Sequence, residues 1–130
     1  MKMSNRKVIC FDFDGVLASY DEWKDGEIGK PLIGGITLAQ LCDSKGYKIV
    51  VNTCRTHPKH GGRSAQKEQY IKIAKWLYEN NVPFDYIEMY GKPVADVYVD
   101  DRGLYFNQEF GDNVEYANSL FYRIVLRCEK

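Results

Sequence analysis

The chain has 130 residues, a length typical of one domain with a substantial core, and we treat residues 1–130 as a single domain. Its hydrophobic content of 45% and charged content of 28% are those of a soluble globular protein. Because 18 basic residues balance 18 acidic residues, a general attraction to nucleic acid or to an anionic membrane is excluded, although a local basic patch is not.

The sequence carries no targeting or membrane-spanning signal. Residues 1–7 are polar and lack the apolar region of a signal peptide, and no apolar run approaches the length that crosses a bilayer. The cysteines at positions 10, 42, 54 and 128 have no CxxC spacing, and we interpret them as reduced, packed thiols. These features predict a cytoplasmic protein without a membrane partner.

Strand and helix patterns alternate in the first half of the chain. Residues 7–13 are typical of a buried strand, and the polar, glycine-rich residues 19–34 indicate a loop or short hairpin. An apolar stripe with helical spacing covers residues 36–42, and Gly46 follows it as a stop signal. A second buried strand is predicted at residues 47–52.

The second half continues the alternation. A polar, basic loop is followed by an amphipathic helix that ends at two asparagines and a proline. Short apolar runs then indicate three more strands and a terminal helix. The predicted ranges are 53–62 for the loop, 64–80 for the helix, 84–89, 97–99 and 104–106 for the strands, and 114–126 for the last helix.

Strands separated by helices predict an α/β fold with a three-layer, doubly wound, Rossmann-like parallel sheet. In such sheets ligands bind beyond the carboxyl ends of the strands. Polar clusters follow three of the predicted strands and should therefore converge at one edge of the sheet. These clusters are Asp12 with Asp14, Asn52 with Thr53, and Asp100 with Asp101.

The pair Asp12 and Asp14 is the most informative of these clusters. Strand alternation places both carboxylates on the same side, where they repel each other unless a cation or a shared proton holds them. Gly15 follows directly and permits a tight turn whose backbone N–H groups can face a phosphate. The pattern is therefore typical of a site that binds metal and phosphate.

These residues, taken in order, resemble the four motifs of the haloacid-dehalogenase-like (HAD) phosphohydrolases. The first motif is the segment Asp12-Phe13-Asp14-Gly15-Val16-Leu17, and the others match Thr53, Lys92 in Gly91-Lys92-Pro93, and the pair Asp100-Asp101. The resemblance spans about positions 7 to 106. It implies an enzyme, a Mg²⁺-dependent phosphatase acting on a small phosphorylated substrate such as a nucleotide or a sugar phosphate.

The resemblance also implies a role for each matching residue. Asp12 would be the nucleophile that forms an aspartyl-phosphate, and Asp14 the general acid and then the general base. Phosphate would be bound by Thr53 and Lys92, together with Gly15 and Arg55.

The resemblance also implies a metal site. Mg²⁺ would be held by Asp12, by the backbone carbonyl of Asp14 and by one acidic residue of the fourth motif. We favour Asp101 as that ligand, with Asp100 acting through water or holding Lys92.

Short intervals between the motifs predict a member without a cap domain, carrying only a short flap at residues 20–30. Tyr20 and Trp23 on this flap would either stack on a substrate ring or pack against the body. The resulting site is open, and a homo-oligomer could close it.

Three other functions stay open. One is a HAD-fold binding or regulatory domain without turnover, although no motif is damaged. Another is transfer of phosphate to an acceptor other than water. The third is a polynucleotide-end phosphatase, which the zero net charge disfavours because tracking a nucleic-acid backbone normally requires a basic groove.

Overall fold

Strands and helices alternate along the chain in the computed structural model. It describes residues 6–20, 27–53, 62–88, 91–100 and 103–129, without the side chains of residues 62–65. The strands are β1 (Val8–Asp12), β2 (Lys48–Asn52), β3 (Tyr86–Glu88), β4 (Val97–Asp100) and β5 (Leu104–Tyr105). The α-helices are α1 (Ile33–Ser44), α2 (Gly62–Glu79) and α3 (Val114–Cys128), and a short 3-10 helix covers Gln108–Phe110.

All five strands form one parallel sheet in the order β3-β2-β1-β4-β5. The first strand is central: Phe11 is paired with Val51 on one side and with Val99 on the other. The predicted α/β class with a parallel Rossmann-like sheet is thus confirmed. Because β1 lies in the middle, its last residue, Asp12, lies at the centre of the carboxyl edge.

The strand register divides the buried side chains between two faces of the sheet. On the first face, Ile9, Phe11 and their paired neighbours join one apolar core with the buried side chains of all three helices. Cys10 and Val50 point to the second face and are buried outside that core. Tyr98, which is paired with Cys10, contacts the backbone of Pro93 and Ala95 through its hydroxyl.

Two glycines allow α1 to lie very close to its neighbours. A Cβ atom on Gly35 would lie 1.7 Å from the carbonyl oxygen of Val16, in the loop after β1. The N–H of Gly34 donates to the carbonyl oxygen of Gly111 at 2.5 Å. The helix therefore begins at Ile33, three residues before the predicted apolar stripe, because these glycines serve close packing rather than a loop.

The other two helices have recognisable boundary signals. Asn81 follows α2 in the left-handed conformation, with φ of 58°, which agrees with the predicted stop at the two asparagines. The side chain of Asn113 accepts a hydrogen bond from the N–H of Tyr116 at 3.0 Å and caps α3. The predicted terminal helix is confirmed, and its buried residues pack on α1.

The short strand β5 completes the sheet next to the candidate site. It was predicted as an edge strand at residues 104–106, and the structure places it at Leu104–Tyr105, parallel to β4. In the described part of the chain, none of the helices is apolar over a length that would cross a membrane.

Candidate functional site

Side chains from two strand ends and one turn meet in a cavity at the carboxyl edge of the sheet. The cavity has a volume of about 340 Å³. Asp12, Asp14 and Asp100 line its floor together with Gly15, and the segment 105–109 forms a wall. The predicted convergence of the first and fourth motifs on one site is therefore seen for these residues.

The turn that follows Asp12 is held by backbone hydrogen bonds. The N–H of Phe13 donates to the carbonyl oxygen of Asn52 at 3.0 Å, which continues the pairing of β1 with β2. Gly15 has φ of 88°, a conformation that favours glycine, and its N–H donates to the carbonyl oxygen of Ala18 at 2.7 Å. Gly15 thus shapes the turn that follows Asp14, and its own amide already has a partner within the protein.

Lys92 is joined to the site through Asp100. Its Nζ atom lies 2.8 Å from Oδ2 of Asp100 and 4.6 Å from the centre of the Tyr98 ring. The hydrogen bond to Asp100 raises the pKa of Lys92 above its ordinary value, and the charge of Asp12 adds to the rise against the opposing effect of burial. Lys92 is therefore a cation under the influence of both carboxylates.

Tyr98 holds the segment that carries Lys92. Its hydroxyl donates to the carbonyl oxygen of Pro93 at 2.5 Å and accepts from the N–H of Ala95 at 3.1 Å. One side chain thus fixes the backbone just beyond Lys92 and supports the lysine's ammonium group with its ring.

Both carboxylate oxygens of the buried Asp100 have partners inside the protein. Oδ2 accepts from Lys92, and Oδ1 accepts from the N–H of Gly103 at 2.6 Å. Gly103 has no room for a side chain, because a Cβ atom there would lie 2.5 Å from the carbonyl oxygen of Tyr98. The tight turn after β4 is therefore built to hold the Asp100 carboxylate in place.

The thiol of Cys10 shows that the site's charges are gathered in one place. Burial raises the pKa of this thiol to about 12, and the nearby negative charges of Asp12, Asp100 and Glu88 add to the rise, while Lys92 lowers it. Four charged side chains thus act on a single buried atom. Three of the four are carboxylates, and the fourth is Lys92, which is paired with Asp100.

Other predicted site residues lie outside this cavity or outside the described residues. Thr53 is buried directly after β2, but within the described part of the chain the cavity lining includes neither Thr53 nor Lys92. Arg55, Trp23 and Asp101 fall outside the described residues. Their predicted roles therefore stay predictions.

Sequence reasoning missed the segment 107–109, which supplies most of the cavity wall. Its 3-10 helix begins with the Asn107 side chain accepting from the N–H of Glu109 at 3.0 Å, a local pattern that the sequence could have indicated. Gln108, in contrast, makes its hydrogen bonds to Tyr20, which is 88 positions away. No local sequence signal could have predicted that contact.

Comparisons with known proteins show the fold. No family model matches the sequence, and no curated protein matches it significantly. A target protein from Vibrio cholerae has a similar structure, with a TM-score of 0.57 and 23% identity over 91% of this chain and 98% of that chain. A conserved protein from Bacteroides thetaiotaomicron is also similar, with a TM-score of 0.54 and 19% identity over 92% and 98%. At these identities the likeness concerns the α/β fold alone.

Proposed function

We propose that this protein is a Mg²⁺-dependent phosphomonoester hydrolase of the HAD-like family. One observation carries the proposal: Asp12, Asp14 and Asp100 line a single cavity, and the ammonium group of Lys92 is bound to Asp100 beside it. A phosphate monoester is an anion, so a carboxylate can attack it only where cations offset the repulsion. The cavity offers an attacking carboxylate and an adjacent cation together.

Asp12 is the nucleophile in this mechanism. One of its oxygens forms a bond to phosphorus while the bond from phosphorus to the alcohol oxygen breaks, and Asp14 gives the leaving alcohol a proton. Water then attacks the phosphorus of the aspartyl-phosphate, Asp14 takes the proton of that water, and inorganic phosphate leaves. Lys92 offsets negative charge during both steps, as its pairing with Asp100 and the influence of Asp12 suggest.

Mg²⁺ suits the oxygen atoms at this edge of the sheet. It prefers carboxylate, carbonyl and water oxygens, and Asp12 and Asp14 could provide the first two kinds. When bound, it would add positive charge next to the phosphate. By the family resemblance the remaining protein ligand would be Asp101, with Asp100 holding Lys92. Among the described residues, no group of three or more His, Cys, Asp or Glu side chains forms a complete metal site.

The proposed enzyme has no cap domain. Only residues 13–32 separate β1 from α1, and only residues 89–96 separate β3 from β4, intervals too short for a domain of their own. The bridge between Ala18 and Pro31 closes the base of a flap within the first interval. An open cavity of this kind suits a small phosphorylated substrate, and a second copy of the chain could cover it.

Hydrolysis of p-nitrophenyl phosphate tests the proposal. Wild type should release p-nitrophenol only with Mg²⁺, and Asp12→Asn should lose the activity because an amide is a poor nucleophile. Asp43→Asn, the same change on the exposed surface of α1, is the matched control and should keep full activity. Turnover that survives in Asp12→Asn would refute the proposed nucleophile. Silence of wild type on a broad panel of phosphate esters would favour a binding domain instead.

A further inference from the structure

Two segments that are far apart in the sequence meet at Tyr20 and Gln108, and Gln108 is one of the residues that line the cavity. The N–H of Tyr20 donates to Oε1 of Gln108 at 2.5 Å, and Nε2 of Gln108 donates to the carbonyl oxygen of Tyr20 at 3.1 Å. The carboxamide thus pairs with one backbone residue through a donor and an acceptor. Only asparagine and glutamine side chains offer an amide of this kind, so the contact specifies both the position and the type of residue.

Gln108 projects from a well-supported turn. The side chain of Asn107 caps this turn, and the N–H of Asn107 donates to the hydroxyl of Tyr116 at 2.7 Å. The Tyr116 ring also lies 5.3 Å from the ring of Phe106 and 5.5 Å from that of Phe110, measured between centroids. The turn that carries Gln108 is therefore anchored to α3.

Tyr20 continues a segment that begins at the turn that follows β1. Asp14 forms a bridge with Ala18, which forms a second bridge with Pro31. The N–H of Ser19 donates to the carbonyl oxygen of Lys30 at 2.8 Å, and its Oγ accepts from the N–H of Lys30 at 3.0 Å. We call residues 18–20 and 30–31 the flap stem. The contact with Gln108 ties this stem to the segment 105–109, which lines the cavity.

We propose that Gln108 is a positioning residue that fixes the flap stem beside the cavity and so sets which leaving groups the site accepts. This inference rests on the proposed function. Gln108 lines the same cavity as Asp12 and Asp14. A phosphate attacked by Asp12 must direct its leaving group away from that residue. The hydrogen-bonded contact between Tyr20 and Gln108 then limits the room that is left for that group.

Three variants separate this role from general stability. Gln108→Ala removes both hydrogen bonds, whereas Gln108→Glu keeps an acceptor for the N–H of Tyr20 and loses the donor to its carbonyl oxygen. Gln40→Ala is the matched control, because Gln40 donates one hydrogen bond from α1 to the carbonyl oxygen of Asn81, far from the cavity. The effects should therefore be largest in Gln108→Ala, intermediate in Gln108→Glu and absent in Gln40→Ala.

Amide hydrogen exchange at Tyr20 tests whether the contact holds the stem. Exchange in Gln108→Ala should be on the order of fivefold faster, the factor given by losing a hydrogen bond of typical net strength. The amides of β1 and β2 should exchange as in wild type. Unchanged exchange at Tyr20 would overturn the proposal, and this readout requires no enzymatic activity.

Kinetics with two leaving groups test the effect on substrate choice. For p-nitrophenyl phosphate and glycerol 2-phosphate, the ratio of kcat/KM should change on the order of fivefold in Gln108→Ala, mainly through KM. An equal fall in kcat for both esters would instead indicate a structural role and overturn the proposal. If wild type hydrolyses neither ester, the proposed function and the substrate-selecting role both fail, while the exchange result still decides whether Gln108 holds the stem.

Discussion

The ammonium group of Lys92 lies 2.8 Å from the carboxylate of Asp100, and the two side chains form an ion pair at the carboxyl edge of the sheet. The carboxylate is buried, whereas the lysine side chain is about half exposed. A buried carboxylate requires such a partner, because an unpaired charge in that position would be strongly destabilising. Asp100 in turn holds Lys92 close enough to Asp12 for the charge of Asp12 to help raise the pKa of the lysine.

The first prediction concerns the charge of Lys92. Lys92→Met should lower kcat/KM by about 10²–10³, the usual effect of removing a group that stabilises transition-state charge. Lys92→Arg should retain part of the activity because it keeps the charge but changes the geometry. The control is Lys75→Met on the exposed surface of α2. A Lys92→Met protein with wild-type kcat/KM would contradict the assigned role.

The second prediction concerns the hydroxyl of Tyr98. Tyr98→Phe keeps the ring beneath Lys92 but removes the hydrogen bonds to Pro93 and Ala95. We expect kcat/KM to fall about 2- to 10-fold, as for the loss of ordinary hydrogen bonds, and the amide resonance of Ala95 to shift. Tyr122→Phe, on the exposed side of α3, should change neither quantity. An unshifted Ala95 resonance with unchanged kinetics would show that the hydroxyl does not position the lysine.

The third prediction is a loss of stability at alkaline pH through the buried thiols. Burial raises the pKa of Cys10 and of Cys42 to about 12, whereas a thiol in the unfolded chain titrates near about 8.5. The contribution of the two thiols to the free energy of unfolding is fully present below about pH 8.5. Above that pH the folded protein binds more protons than the unfolded chain. The free energy of unfolding therefore falls by about 1.4 kcal/mol per pH unit for each thiol.

Urea denaturation between about pH 7.5 and about pH 9 measures this slope, at least about one pH unit below the pKa values of unfolded tyrosines and lysines. Cys42→Ala should be less stable at neutral pH because it leaves a small cavity, yet its stability should fall less steeply with pH. The slope is the decisive quantity. Equal slopes in wild type and Cys42→Ala would contradict the assignment.

The fourth prediction concerns the close approach of α1 to the turn that follows β1. In Gly35→Ala the new Cβ atom would lie 1.7 Å from the carbonyl oxygen of Val16, so the helix or the turn must move. We expect a loss of about 1–3 kcal/mol in the free energy of unfolding, together with reduced activity, since Val16 lines the cavity. Ser44→Ala at the exposed end of α1 should be nearly neutral. A Gly35→Ala protein as stable as wild type would show that the contact can relax freely.

Local pattern was sufficient to predict the elements that carry Asp12 and Asp100. The apolar runs before both residues indicate buried strands, and parallel strands necessarily bring their carboxyl ends to one edge. The start of α1 was predicted three residues late because Gly34 and Gly35 resemble loop residues until their close neighbours are known. Those neighbours come from other parts of the chain, so the local pattern of apolar and polar residues around the two glycines does not reveal them.

The wall of the cavity was missed for the same physical reason. A change from apolar to polar residues indicates the end of a strand. The contact between Gln108 and Tyr20 instead depends on how β5 and α3 position a short turn. The pairing of Lys92 with Asp100 lies between these cases. The positions of both residues in the chain were predicted. The contacts of Tyr98 with Lys92 and with the carbonyl oxygen of Pro93, which hold the lysine beside Asp100, were not.

The central claim is that Asp12 becomes phosphorylated during turnover. The direct measurement is acid quenching of the Asp14→Asn protein after mixing with Mg²⁺ and p-nitrophenyl phosphate, followed by mass spectrometry of its peptides. Removing the general base should slow hydrolysis of the intermediate, so the peptide that contains Asp12 should gain one phosphoryl group. A phosphoryl group on another residue, or wild-type turnover in a protein with Asp12→Asn, would contradict the proposed mechanism.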